Sequence, residues 1–163
     1  MNTYNWNAKD YEKNSQTQQK WARELIEKLS LKGTEKVLDV GCGDGKVTAE
    51  IANSVCDGLV IGVDSSRTMI ELASEQYPSS IYPNLSFKIM DASNLSFEEC
   101  FDIVFSNAAL HWVKNHKPVV EGLFKSLKPG GKILLQMGGK GNARHVLSIV
   151  EEIQVISRMA TIF

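Results

Sequence analysis

The chain lacks what would mark it for several common tasks. Neither sign of charge dominates: 18 basic residues stand against 19 acidic ones over 163 positions, a formal net charge of −1. No basic excess is left to neutralise phosphates, so neither nucleic acid nor an anionic membrane is expected as a partner. Cysteine is scarce, with only Cys42, Cys56 and Cys100. An odd number without C-x-x-C spacing suits neither a disulfide framework nor a zinc site; no metal is expected, and a reducing, cytoplasmic setting is. Apolar runs stay well short of the ~20 residues that span a bilayer. The opening Met1-Asn2-Thr3-Tyr4-Asn5-Trp6 is polar and aromatic, unlike a signal peptide. Internal repeats and low-complexity linkers are missing as well, which removes solenoid and multi-module readings. A chain of this length can bury a real core as one domain.

What is present centres on Val37-Leu38-Asp39-Val40-Gly41-Cys42-Gly43-Asp44-Gly45. A short apolar run with one acid breaks into three glycines at alternate positions. It reads as a buried strand followed by a loop whose backbone must approach a ligand closely. The helical pattern of Lys46–Ala52 completes a strand, Gly loop, helix unit that aims free N–H groups and a helix N-terminus above the strand. Two other Gly loops are excluded by spacing. A dinucleotide fingerprint G-x-G-x-x-G needs Gly where Lys46 stands; a P-loop needs Gly at 40 and Ser or Thr at 47, occupied by Val40 and Val47.

In chain order, Trp21, Leu25, Ile26 and Leu29 mark an amphipathic helix, ended by Gly33-Thr34 before a strand at 36–40. Leu59–Asp64 reads as a second strand, with Ser65 or Ser66 capping a helix that carries Met69, Ile70, Leu72 and Ala73. Pro78 and Pro83 bound a loop; Leu85–Met90 is a third strand. A short helix is expected around Asn94–Glu99, then a fourth strand at Phe101–Phe105. Pro118–Leu127 reads as a helix stopped by Lys128-Pro129-Gly130-Gly131, with a fifth strand at Lys132–Gln136. Val146, Ile149, Val150, Ile153 and Ile156 mark a last helix. Alternating strands and helices predict an α/β, doubly wound, Rossmann-like sheet of five parallel strands with flanking helices.

Acids follow the strands in a regular way. Ligands bind beyond the carboxyl ends of such a sheet. There the Gly loop follows strand one, Asp64 ends strand two, Asp91 follows strand three, and Ser106-Asn107 follow strand four. Asp64 stands 23 residues after Gly41, near the roughly 20-residue offset at which an acid meets ribose hydroxyls. Asp91, an acceptor only, can read an exocyclic amine, and Asp39 can hold an ammonium group. Together they suit a ligand with ribose, adenine and positive charge, and suit a pyrophosphate poorly. Each acid taken alone is equally a strand-end cap.

With the Gly loop, these strand-end acids, Phe101-Asp102-Ile103-Val104 and Leu127-Lys128-Pro129-Gly130-Gly131, residues 36–136 resemble the class I S-adenosylmethionine-dependent methyltransferases. That resemblance implies S-adenosyl-L-methionine as cofactor, with Asp64 on the ribose and Asp91 with Ala92 at the adenine. It places Asp39, Gly41, Cys42 and Gly43 by the methionine portion, and adds Ser65, Met69 and Asn107 to the cofactor-binding set. A lid segment and helix over 1–34 would precede the cofactor-binding domain over 35–163. A nicotinamide oxidoreductase is a weaker competitor, disfavoured by Lys46.

Ser106-Asn107-Ala108-Ala109-Leu110-His111-Trp112-Val113 resembles, more narrowly, the segment after strand four in trans-aconitate and malonyl-carrier-protein methyltransferases. Its Leu-His-Trp core is also similar to plant salicylate-type and insect juvenile-hormone-acid carboxyl methyltransferases, whose Tyr-x-x-x-Ser-x-x-Gln segment matches Tyr11, Ser15 and Gln18. The resemblance implies that Gln18 and Trp112 hold a substrate carboxylate and that Tyr11 and Ser15 lie near the cofactor, so a small carboxylic acid is the expected acceptor. A carboxylate is ionised at pH 7 and needs no general base. Other readings remain open: Ser15-x-x-Gln18 is also a capping box. Trp112 can be core packing. His111 can be a general base for an oxygen or nitrogen acceptor, or a structural histidine. Full members of the family add an antiparallel strand pair at the sheet edge, absent here. That implies either a piece of a longer protein, with a cofactor-binding module lacking activity, or an edge that pairs with a second copy as a homodimer.

Overall fold

The computed structural model describes residues 16–139 and 141, and side chains from Ala22 onward. Helix α1 (Gln16–Leu29) turns Ala22, Leu25 and Leu29 inward, the i, i+3, i+7 stripe of a helix lying on a core. Then follow β1 (Lys36–Val40), α2 (Lys46–Ser54), β2 (Leu59–Asp64), α3 (Arg67–Gln76) and β3 (Leu85–Ile89). The second half holds β4 (Phe101–Asn107), α4 (His116–Ser126) and β5 (Leu127–Gln136), with single 3-10 turns at Ala92–Asn94 and Leu110–Trp112. No helix among the described residues is long and apolar enough to cross a membrane.

The five strands lie in the order β3-β2-β1-β4-β5, every pair parallel. Strand β1 shows why the sheet is covered on both faces. Val37 joins Leu25, Leu29, Ile51 and Val55 on one side, while Leu38 and Val40 join Val119 and Leu123 on the other. Both layers are apolar, as a parallel sheet requires. After β1 the chain builds outward through β2 and β3, then returns to lay β4 on the opposite flank of β1. The strand order therefore reverses between β1 and β4, the switch point beyond whose carboxyl ends such sheets form their ligand crevice.

Three local expectations are corrected. No helix forms over Asn94–Glu99; a single 3-10 turn lies at Ala92–Asn94, where the Asp91 carboxylate accepts the Ser93 N–H at 2.7 Å. Glu99 then adopts a left-handed φ of 44°, which a continuing helix forbids. Helix α4 begins at His116 rather than Pro118, because Asn115 caps it by accepting the Lys117 N–H at 3.2 Å. Pro118 is accommodated in the first turn, where its missing N–H has no partner to lose. Finally, Lys128–Gly131 does not separate α4 from β5. The strand starts at Leu127, and this segment bulges between the pairs Phe101↔Leu127 and Ile103↔Lys132, held by Lys128 Nζ on Asp102 at 2.8 Å. The last helix expected over Val146–Ile156, and Tyr4, Trp6 and Tyr11, lie outside the described residues.

Candidate active site

The Gly loop is folded back against the end of β2. Gly41 N and Cys42 N both donate to the Val63 carbonyl, at 2.8 and 3.1 Å, and Gly43 N donates to Asp64 Oδ2 at 3.0 Å. Gly41 has a φ of 79°, and a Cβ added there would land on the Ala109 Cβ. Gly45, also at 79°, would drive a Cβ to 2.7 Å from the Phe87 ring. Backbone handedness and close packing each require glycine at these two positions.

Asp39 is fully buried and accepts the Thr48 hydroxyl at 2.7 Å. Burial pushes its carboxyl up to about 7, with the nearby Asp64 charge adding to the rise against the Thr48 hydrogen bond. Asp64 is half-buried; its Oδ1 accepts Ser66 N at 2.8 Å and its Oδ2 accepts Gly43 N. Burial raises its pKa too, opposed by those backbone N–H groups. With two lone pairs per oxygen, Asp64 can still accept hydrogen bonds from a ligand's hydroxyls. Burial pushes the Cys42 thiol well up, and Asp39 and Asp64 add to it, so this cysteine is a neutral wall rather than a nucleophile. Asp44 is buried, with Oδ2 3.1 Å from Lys46 Nζ in an ion contact that lacks hydrogen-bond geometry.

Across the crevice, Ser106 Oγ donates to the Val40 carbonyl at 2.6 Å and ties the end of β4 to the end of β1. The chain then bends sharply. Ala108 takes a left-handed φ of 54°, Leu110 is buried, and the 3-10 turn exposes His111 and Trp112, whose rings stand 5.0 Å apart. At 61% exposure Trp112 is not core packing.

Of the residues singled out from sequence, Asp39, Gly41, Cys42, Gly43, Asp64 and Asn107 all lie at the carboxyl ends of β1, β2 and β4. Asp91 and Ala92 follow β3, with Asp91 exposed. Ser66, not Ser65, caps α3 by accepting the Met69 N–H at 3.4 Å; Ser65 is exposed and Met69 buried. Gln18 lies in α1 without a described side chain, and Tyr11 and Ser15 lie outside the described residues. Ser106 and Ala109 stood in the segment singled out after strand four, without the partners they make here, and Thr48 and His116 escaped the sequence reading. Thr48 offered a faint signal, a hydroxyl inside the apolar pattern of α2; His116 offered none, because its partner lies across a turn boundary.

Residues 38–135 match the methyltransferase domain family. The chain belongs to the class I S-adenosylmethionine-dependent methyltransferases. This methyltransferase domain is 36% identical to an uncharacterized methyltransferase of Schizosaccharomyces pombe, over 91% of its own length and 57% of the relative's. It is 34% identical to a trans-aconitate 2-methyltransferase of Methylobacterium radiotolerans, over 81% of its length and 49% of the relative's. The chain thus spans about half the length of these curated relatives. A methyltransferase structure from Aquifex aeolicus shares the fold at a TM-score of 0.71 with 19% identity, over 80% of this chain and 72% of that one. The donor set fits the family's cofactor. Three carboxylates, Asp39 near the end of β1, Asp64 at the end of β2 and Asp91 just after β3, lie along neighbouring strands in the sheet order and favour a cationic, hydroxyl-bearing ligand over a pyrophosphate.

Proposed function

We propose that this methyltransferase domain transfers a methyl group to a carboxylate oxygen of a small organic acid. The observation that carries the reading is the turn beyond β4. It lies against the Gly loop through Ala109 and Gly41 and leaves Trp112 exposed beside the crevice. The name of the trans-aconitate 2-methyltransferase relative supports the same class of acceptor.

When bound, S-adenosyl-L-methionine would supply an electrophilic methyl to the carboxylate oxygen and leave as a neutral thioether that retains the bonding electron pair. Asp64 would orient the ribose, Asp91 and Ala92 would face the adenine, and Asp39 would face the ammonium end. Gly41, Cys42 and Gly43 would wall the methionine portion, and Ser65, Met69, Asn107, Tyr11 and Ser15 would complete the set that binds the cofactor. Trp112 and Gln18 donate N–H groups to the acceptor carboxylate, which fixes its angle without removing its nucleophilic lone pair. His111 flanks Trp112 and is not asked to take a proton, because a carboxylate acceptor carries none at neutral pH.

Asp64→Ala is expected to weaken S-adenosylhomocysteine binding by roughly 1–3 kcal/mol, the cost of leaving buried polar partners unpaired. Unchanged affinity by calorimetry would remove Asp64 from the ribose. Trp112→Phe and Gln18→Ala are expected to impair turnover while cofactor affinity stays nearly intact; parallel loss of both quantities would reduce these residues to structural roles. Because the chain spans about half of its relatives, a second reading is a cofactor-binding module without activity. Isotope-labelled cofactor with a panel of small acids separates the two. Label transferred to an acid supports the acceptor reading; binding with no transfer supports the module.

A further inference from the structure

The turn that carries Trp112 has little burial to hold it. Leu110 anchors its start, at 2% exposure, but His111 and Trp112 are both exposed. A side chain from outside the turn makes up for this. His116, the first residue of α4, reaches back over its own N-cap and places Nε2 2.9 Å from the Leu110 carbonyl. That carbonyl also takes the Val113 N–H at 3.1 Å, so one oxygen closes the turn from within and ties it to α4 from without.

We infer that His116 is a positioning residue, setting the direction of Trp112 by clamping the 3-10 turn to the start of α4. A carbonyl oxygen only accepts, so Nε2 bears the proton. Either the neutral Nε2–H tautomer or the charged ring can donate it. The turn starts from strained backbone: Ala108 sits at a φ of 54°, a conformation alanine resists. Such strain persists only where surrounding contacts select one path and hold it, and the clamp is one of those contacts. On the acceptor reading above, on which the kinetic part of this inference rests, the selected path aims the indole N–H at the acceptor carboxylate.

Incorporation of 5-fluorotryptophan labels Trp6, Trp21 and Trp112, and Trp112→Phe assigns the third fluorine resonance. In His116→Phe, the Trp112 resonance is expected to narrow and move toward that of the free amino acid, with Trp6 and Trp21 unmoved. His116→Gln, whose amide can still donate, is expected to keep the wild-type position. Turnover should follow: kcat/KM for the acid falls about tenfold in His116→Phe, the scale of one net hydrogen bond, and is largely rescued in His116→Gln. The Kd for S-adenosylhomocysteine stays within about twofold, since no cofactor contact is removed. A Trp112 resonance indifferent to His116→Phe overturns the inference, as does equal loss in both variants together with cofactor affinity. If the resonance moves as expected while the wild-type protein methylates no acid, the positioning role stands and the acceptor reading fails.

Discussion

Gly41→Ala is expected to lower the melting temperature by roughly 5–15 °C and to abolish measurable S-adenosylhomocysteine binding. Two costs act on one methyl group. A left-handed backbone charges an L-residue about 1–2 kcal/mol, and Gly41 sits at a φ of 79°. The new Cβ would also land on the Ala109 Cβ, and forcing such an overlap into packed structure costs roughly 1–3 kcal/mol more. Relief requires the Gly loop or the turn beyond β4 to move, and either motion disturbs the crevice. The contact itself can be tested by adding Ala109→Gly to Gly41→Ala. The double variant is expected to recover the overlap share of the loss but not the share due to φ. Thermal denaturation reads both. A single variant that melts with the wild type would mean that the loop and the turn do not touch.

The second large effect is a pH dependence centred on Asp39. Below about pH 4 this carboxyl is protonated both folded and unfolded, and its burial carries no ionic cost. Between pH 4 and 7 the unfolded chain releases the proton while the folded protein keeps it, so stability falls as pH rises. With the native carboxyl pushed up from 3.8 to about 7, the total loss is at most about 4 kcal/mol. Asp39→Asn removes the ionisation and preserves an acceptor for the Thr48 hydroxyl. It is expected to match the wild type near pH 4 and to melt several degrees higher at pH 8. On the proposed reading the same substitution is costly for binding. A cation beside the ionised carboxylate favours its charged form, so S-adenosylmethionine should tighten as pH rises through 7, with proton release on binding. Calorimetry in buffers of different ionisation enthalpy counts those protons. A flat wild-type stability curve, or equal proton release by Asp39→Asn, would show that Asp39 does not titrate in this range.

Much of the molecule was legible from residue order because the signals are local. The β1 run followed by glycines at 41, 43 and 45 fits one backbone path, and the structure follows it, with all three at positive φ. Asp64 closes β2 where its apolar pattern ends. Errors arose where a local rule had a non-local competitor. Pro-Gly-Gly at 129–131 reads as a stop, yet β4 pairing carries β5 past it and expels the surplus residues as a bulge. Trp112 resembled a substrate ligand on one count and core packing on another; its exposure removes the second. The Leu-His-Trp match drew attention to His111, while the histidine with a defined structural partner is His116, six residues beyond the carbonyl it holds.

Sequence alone determined the parallel sheet, the Gly loop, the acids at its rim and the family to which they point. Strand and helix periods, glycine conformations and strand-end chemistry are all written within a few residues. Tertiary structure alone decided that the turn beyond β4 closes on Gly41, that burial pushes the Asp39 carboxyl up against the Thr48 hydrogen bond, and that His116 clamps the turn. The Thr48 and His116 contacts span only 9 and 6 positions, each across the boundary of an element. The contact on Gly41 comes from the crossing of the chain after β3, which lays β4 beside β1 and brings Ala109 and Ser106 against residues more than sixty positions earlier. That close approach arises only once the crossing is made, and no local pattern encodes it.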